Sequence, residues 1–108
     1  MIIPYNFSIY DYTTWVLDIE SSFNLCNSLQ SLQVSRRFEE DERFLNIEDG
    51  RPVSVLALGI VKLIFKSNVI VLSECHFYPS FLLNIISVGL LTMYGYKISI
   101  KKIILISL

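Results

Sequence analysis

A chain of 108 residues with 9 basic and 10 acidic side chains, and a formal net charge of −1, has no basic excess with which to displace counterions from phosphates; nucleic-acid binding is not expected of it. Hydrophobic residues make up 53% and charged residues only 18%, which excludes a disordered chain and fits one compact domain whose apolar surface is partly covered by a partner. Two distant cysteines, Cys26 and Cys75, do not describe a disulfide framework, and the amino terminus lacks a basic region followed by an apolar core, so the expected setting is reduced, intracellular and cytoplasmic.

Residues 1–13 are aromatic and polar without a period and read as a leader of uncertain structure. Thr14-Trp15-Val16-Leu17-Asp18 is a β-prone run that delivers a carboxylate at its tip. Ser21 to Gln33 is mixed and reads as a loop with a short helical turn, and Glu39-Glu40-Asp41-Glu42 as an exposed turn, because like charges stay hydrated. Asp49-Gly50 is a turn signal. Val53, Val55 and Ala57 then alternate with Ser54, Leu56 and Leu58 up to Gly59, where a bend or a close backbone approach is expected. Val61, Leu63 and Phe65 continue the period, Lys66-Ser67-Asn68 turns, and Val69-Ile70-Val71-Leu72 returns. Pro79 ends the next extended piece because it cannot donate to a ladder.

Leu83, Ile86 and Leu90 stand at helical spacing and predict a short helix over 81–91. The apolar stretch from Phe81 to Met93 is shorter than the roughly 20 residues of a membrane span and contains Asn84, Ser87 and Gly89, so a buried segment is expected and no membrane partner. Gly95-Tyr96 turns, Lys97 to Lys101 alternates as a strand, and 103–108 is an uncapped apolar tail. The grammar is mainly β with many short strands, hence a small barrel or sandwich.

The order Trp15-Val16-Leu17-Asp18, Gly50, Pro79-Ser80-Phe81, Asn84-Ile85-Ile86-Ser87-Val88, Leu91 and Gly95-Tyr96 resembles copia-type retrotransposon Pol polyproteins. These carry a Trp-x-Leu-Asp-Ser/Thr-Gly-Ala-Ser opening, an Asn-Gly turn, a Tyr-Val-Pro segment, Asn-Leu/Ile-Ile/Leu-Ser-Val, then Leu and Gly-Tyr. The resemblance covers residues 14–100, and 79–88 is its most specific part. It implies a small closed or partly open retropepsin-like β-barrel with one short helix, over 14–102, of the kind that precedes the integrase. It also implies an aspartic protease that needs two copies, because two carboxylates must share a proton and each chain brings one.

By that resemblance Asp18 is the catalytic position, and here it is vestigial: the bracing hydroxyl expected next is Ile19, and the glycine of the tight turn is Glu20. Two such glutamates would add charge beside two aspartates that already repel. Asn24 stands where the family shows a histidine, and Tyr78 replaces a valine before Pro79. The implied protein is a degenerate, truncated and catalytically inactive copy that self-associates through the former protease interface; the competing expectation is an active homodimer that processes a polyprotein substrate.

Other constellations fall short of chemistry. Cys26, Cys75 and His76 are three candidates where zinc takes four ligands, so no metal or other cofactor is expected, and the cysteines read as buried small hydrophobes. Ser21 and Ser22 lack an elbow motif that would pair either with His76. Trp15, Phe65, Phe77 and Phe81 read as core.

Overall fold

The computed structural model describes residues 2–4, 14–47, 50–65, 68–96 and 104–107, and over these the chain is mainly β with one short helix. In chain order the elements are β1 (Ile2–Pro4), β2 (Thr14–Asp18), β3 (Asn24–Cys26), β4 (Leu32–Arg37), β5 (Phe44–Asn46), β6 (Pro52–Ser54), β7 (Ala57–Phe65), β8 (Asn68–Phe77), β9 (Asn84–Ser87), α1 (Val88–Met93) and β10 (Ile104–Ser107).

The longest pair forms where the sequence alternates. β7 and β8 run antiparallel from Ala57↔Phe77 to Phe65↔Asn68, with Val61, Leu63, Leu72 and Cys75 buried and Lys62, Ile64, Val69 and Glu74 exposed. The register leaves 66–67 to join them; those two residues of the expected turn lie outside the described ones. At Gly59 the register against β8 shifts, and β4 shifts opposite it between Val34 and Arg36. A Cβ at Gly59 would stand 2.3 Å from the Gln33 carbonyl oxygen, so the close backbone approach read from the sequence is real.

Beyond β4 the acidic run is the exposed turn it was expected to be: the Glu42 N–H donates to the Glu39 carbonyl, and Asp41 adopts φ 63° with its N–H donated to the Ser54 hydroxyl. The guanidinium groups of Arg36 and Arg43 lie over the Phe38 ring, at 4.9 and 4.6 Å from its centroid, and Phe38 is buried. β5 and β6 form a separate two-stranded sheet that turns near Gly50, at φ 80°; Asp49 lies outside the described residues.

Three expectations need correction. The 81–91 helix is instead the strand β9 followed by α1, because β-branched Ile85 and Ile86 favour extension and Ser87, extended at φ −72° and ψ 114°, caps the helix by accepting the Leu90 N–H. The loop expected over 21–33 contains β3, three fully sequestered residues, and the start of β4. Of the closed and partly open forms expected for the sheet, the described residues show no closed barrel: eight strands run in the linear order β1-β10-β2-β9-β3-β8-β7-β4, leaving β1 and β4 as edges. β4 ends in exposed Arg36 and Arg37, side chains that discourage further strand addition. Residues 104–107, read as part of a tail, are a strand between β1 and β2; the strand expected over 97–101 and most of the 1–13 leader lie outside the described residues.

Trp15, Cys26, Leu32, Val61, Leu72 and Ile86 belong to one buried cluster, which Leu91 of α1 joins from the helix side. Trp15 and Phe77 thus pack as core or against it, as expected.

Gly59→Ala is expected to lower stability by about 2 kcal/mol, because the new methyl meets the Gln33 backbone, which cannot move aside as the neighbouring Leu32 side chain can. Urea unfolding should show a lower midpoint at an unchanged slope.

Candidate functional site

β2 and β9 run parallel, with Asp18 opposite Ser87 at their common end, while β3 meets β9 antiparallel at Leu25↔Ile85. β9 therefore occupies the space between β2 and β3, and the connection 19–23 must cross over its end. That crossing is held by side chains. Asp18 Oδ1 accepts the N–H groups of Glu20 (2.8 Å) and Ser21 (3.2 Å). The Ser87 hydroxyl donates to the Ser21 carbonyl at 2.6 Å, and the Ser87 N–H donates to Asn24 Oδ1 at 2.8 Å.

A second layer lies at the other end of β9. Asn84 Oδ1 accepts the Asn27 N–H at 2.9 Å, and Asn27 Nδ2 donates to the Phe81 carbonyl at 3.1 Å. Asn24, Asn27, Asn84 and Ser87 are all buried, and Asn27 Oδ1 has no hydrogen-bond partner among the described residues.

A cleft of about 270 Å³ opens beside the half-buried Asp18, between the 18–23 loop, the Asn46–Ile47 end of the β5–β6 hairpin, and Phe81 and Ile85. Phe81, expected as core, is half-buried and forms one wall of it. Ile19 is 71% exposed, and Glu20 is exposed at the rim of the cleft, which it helps to line. The turn does not require glycine at 20, since the one non-glycine residue at positive φ among the described residues is Asp41. Within one chain Glu20 therefore bears no burial penalty; a cost arises only if a second copy covers it.

The remaining candidates are dispersed. Ser21 Oγ donates to the Phe23 carbonyl at 2.7 Å, so its hydroxyl serves the loop. His76 is half-buried, edge-on to Phe23 at 6.2 Å, with Nδ1 3.4 Å from the Asn24 carbonyl. Burial holds its pKa below the ordinary value, helped by the charge of Arg43 and opposed by the Asn24 contact. Cys26 and Cys75 are buried free thiols on adjoining strands. The hydrogen bond they share, together with burial, pushes the Cys75 thiol far up, and the same bond holds Cys26 down. Among the described residues no group of three His, Cys, Asp or Glu side chains is gathered to hold a metal ion, and no helix is long and apolar enough to cross a membrane.

Sequence reasoning located Asp18 but missed the roles of Asn24, Asn27, Asn84 and Ser87. The Asn-Ile-Ile-Ser pattern flagged two of these positions without revealing that their side chains satisfy loop backbone. No protein-family model matches this chain, and neither a curated protein nor a solved structure is similar to it at significance.

Asn24→Ala should cost about 1–3 kcal/mol by leaving the buried Ser87 N–H without its acceptor, measured by chemical denaturation. The depressed pKa of His76 means that, as pH falls, the unfolded chain takes up that proton first. Its contribution is complete above the unfolded value of about 6.5 and is lost as pH falls through the folded value. Unfolding midpoints should drop as pH falls below the unfolded value of about 6.5, and drop less in His76→Gln.

Proposed function

We propose that this chain is a catalytically inactive remnant of an aspartic protease, derived from the retropepsin-like segment ahead of the integrase in a copia-type retrotransposon Pol polyprotein. One observation carries the reading. Asp18 ends a strand beside a cleft, and its carboxylate is tied to the following turn, directly opposite the Asn84-Ile85-Ile86-Ser87 strand and its capped helix. An acid so delivered is half of a two-carboxylate centre, and a two-fold pair of chains supplies the other half.

The loss of activity follows from the two residues after it. Ile19 offers no hydroxyl with which two such turns could brace each other across the two-fold axis, and its side chain points to solvent instead. Two Glu20 carboxylates brought against two Asp18 carboxylates repel, and closing the pair would strip them of water. The surviving role in this reading is self-association through the former protease interface, within the reducing interior of a cell, where two free buried thiols are stable.

One observation favours a second reading, an active homodimeric endopeptidase that processes a Gag-Pol polyprotein. Glu20 is exposed in the single chain, without positive φ, so the turn itself is intact.

Restoring the triplet with Ile19→Thr and Glu20→Gly distinguishes the two. Acid-optimal, pepstatin-sensitive cleavage of a polyprotein-derived peptide should appear only in the repaired chain. Cleavage by the unrepaired chain, abolished by Asp18→Asn, would instead establish the second reading.

A further inference from the structure

We propose that the cleft beside Asp18 binds an extended polypeptide segment that presents one Lys or Arg side chain between apolar neighbours. The inference concerns the proposed vestigial site and rests on the reading that the cleft no longer cleaves what it holds. Its volume, about 270 Å³, falls below the roughly 300–1,000 Å³ of sites that enclose drug-sized molecules, and suits one long side chain with the start of its neighbours.

Charge complementarity selects the occupant. Asp18 and Glu20 both line the cleft, and neither Lys, Arg nor His is among its described lining residues. The Arg36–Glu42 ion pair, at 3.3 Å, belongs to a different turn. Glu20 is exposed, and so its carboxylate can meet an incoming cation without a prior exchange of partners. Part of the wall is apolar: Phe23, Ile47, Phe81 and Ile85 can cover the methylene stem of a Lys or Arg, and the two rings add an attraction for its cationic head. A free metal ion is a poorer match, because two carboxylates without a third charged ligand leave most of its shell to water.

The test is a titration of the full-length, isotope-labelled chain with the blocked peptide Val-Val-Arg-Val-Val at neutral pH, with its Gln and Glu counterparts as controls. The Arg peptide should shift the amides of residues 18–23, 46–47 and 81–85 saturably, and the Glu peptide should not. Because Glu20 is exposed, Glu20→Gln keeps the fold and should weaken binding about tenfold, the scale of one charge-assisted hydrogen bond. Added salt should weaken the native complex more than the variant one. Equal binding of the Arg and Gln peptides, saturable shifts confined to other surfaces, or no shift at millimolar peptide would each overturn the proposal. Cleavage of the peptide during the titration would count separately, against the loss of activity and not against the site.

Discussion

The site depends on a strand that slots between two others. β2 rises to Asp18, the chain crosses at 19–23, and β3 descends from Asn24, but the gap between them is filled by β9 from much later in the sequence. Strands lie about 4.8 Å apart, so the crossing spans two such spacings, roughly 10 Å, over the end of a strand that has its own N–H and carbonyl groups to satisfy. Ser87, at that end, meets both needs at once. Its N–H goes to the Asn24 amide, and its hydroxyl reaches the Ser21 carbonyl while accepting the Leu90 N–H that opens α1.

This arrangement explains why four polar side chains are tolerated in so apolar a domain. Asn24, Asn27, Asn84 and Ser87 are buried because they stand in for backbone partners that an uninterrupted ladder would have supplied. The acid at position 18 belongs to the same economy of contacts: one carboxylate oxygen is committed to the turn, which aligns the group beside the cleft. Departures at 19 and 20 leave this framework untouched, since both residues are exposed and no side-chain contact of theirs holds the crossing.

Much of the outer sheet was legible from residue order. Period-two alternation located β7 and β8, Gly59 announced the tight crossing with β4, and Pro79 marked the end of extension after Phe77. The centre was harder to read. β3 has only Asn24, Leu25 and Cys26, too short for a period to register, and the helical spacing of Leu83, Ile86 and Leu90 masks the strand β9. Local pattern could not show that Cys26 and Cys75 are neighbours, since their contact follows from the parallel pairing of β3 with β8. The position of Asp18 at a strand tip was legible, whereas the polar network around it consists of contacts between residues some sixty positions apart, such as Asn24 with Ser87.

The slotted strand also bears on how the chain is made. During vectorial synthesis β2 and β3 emerge from the ribosome with an empty lane between them, and residues 27–83 must follow before β9 can enter it. Until then both flanking strands expose unpaired backbone on their facing edges, where another strand of comparable length can intrude. The long β7–β8 hairpin, complete before β9 appears, gives β3 a partner on its far side and so holds half of the lane in place for the last arrival.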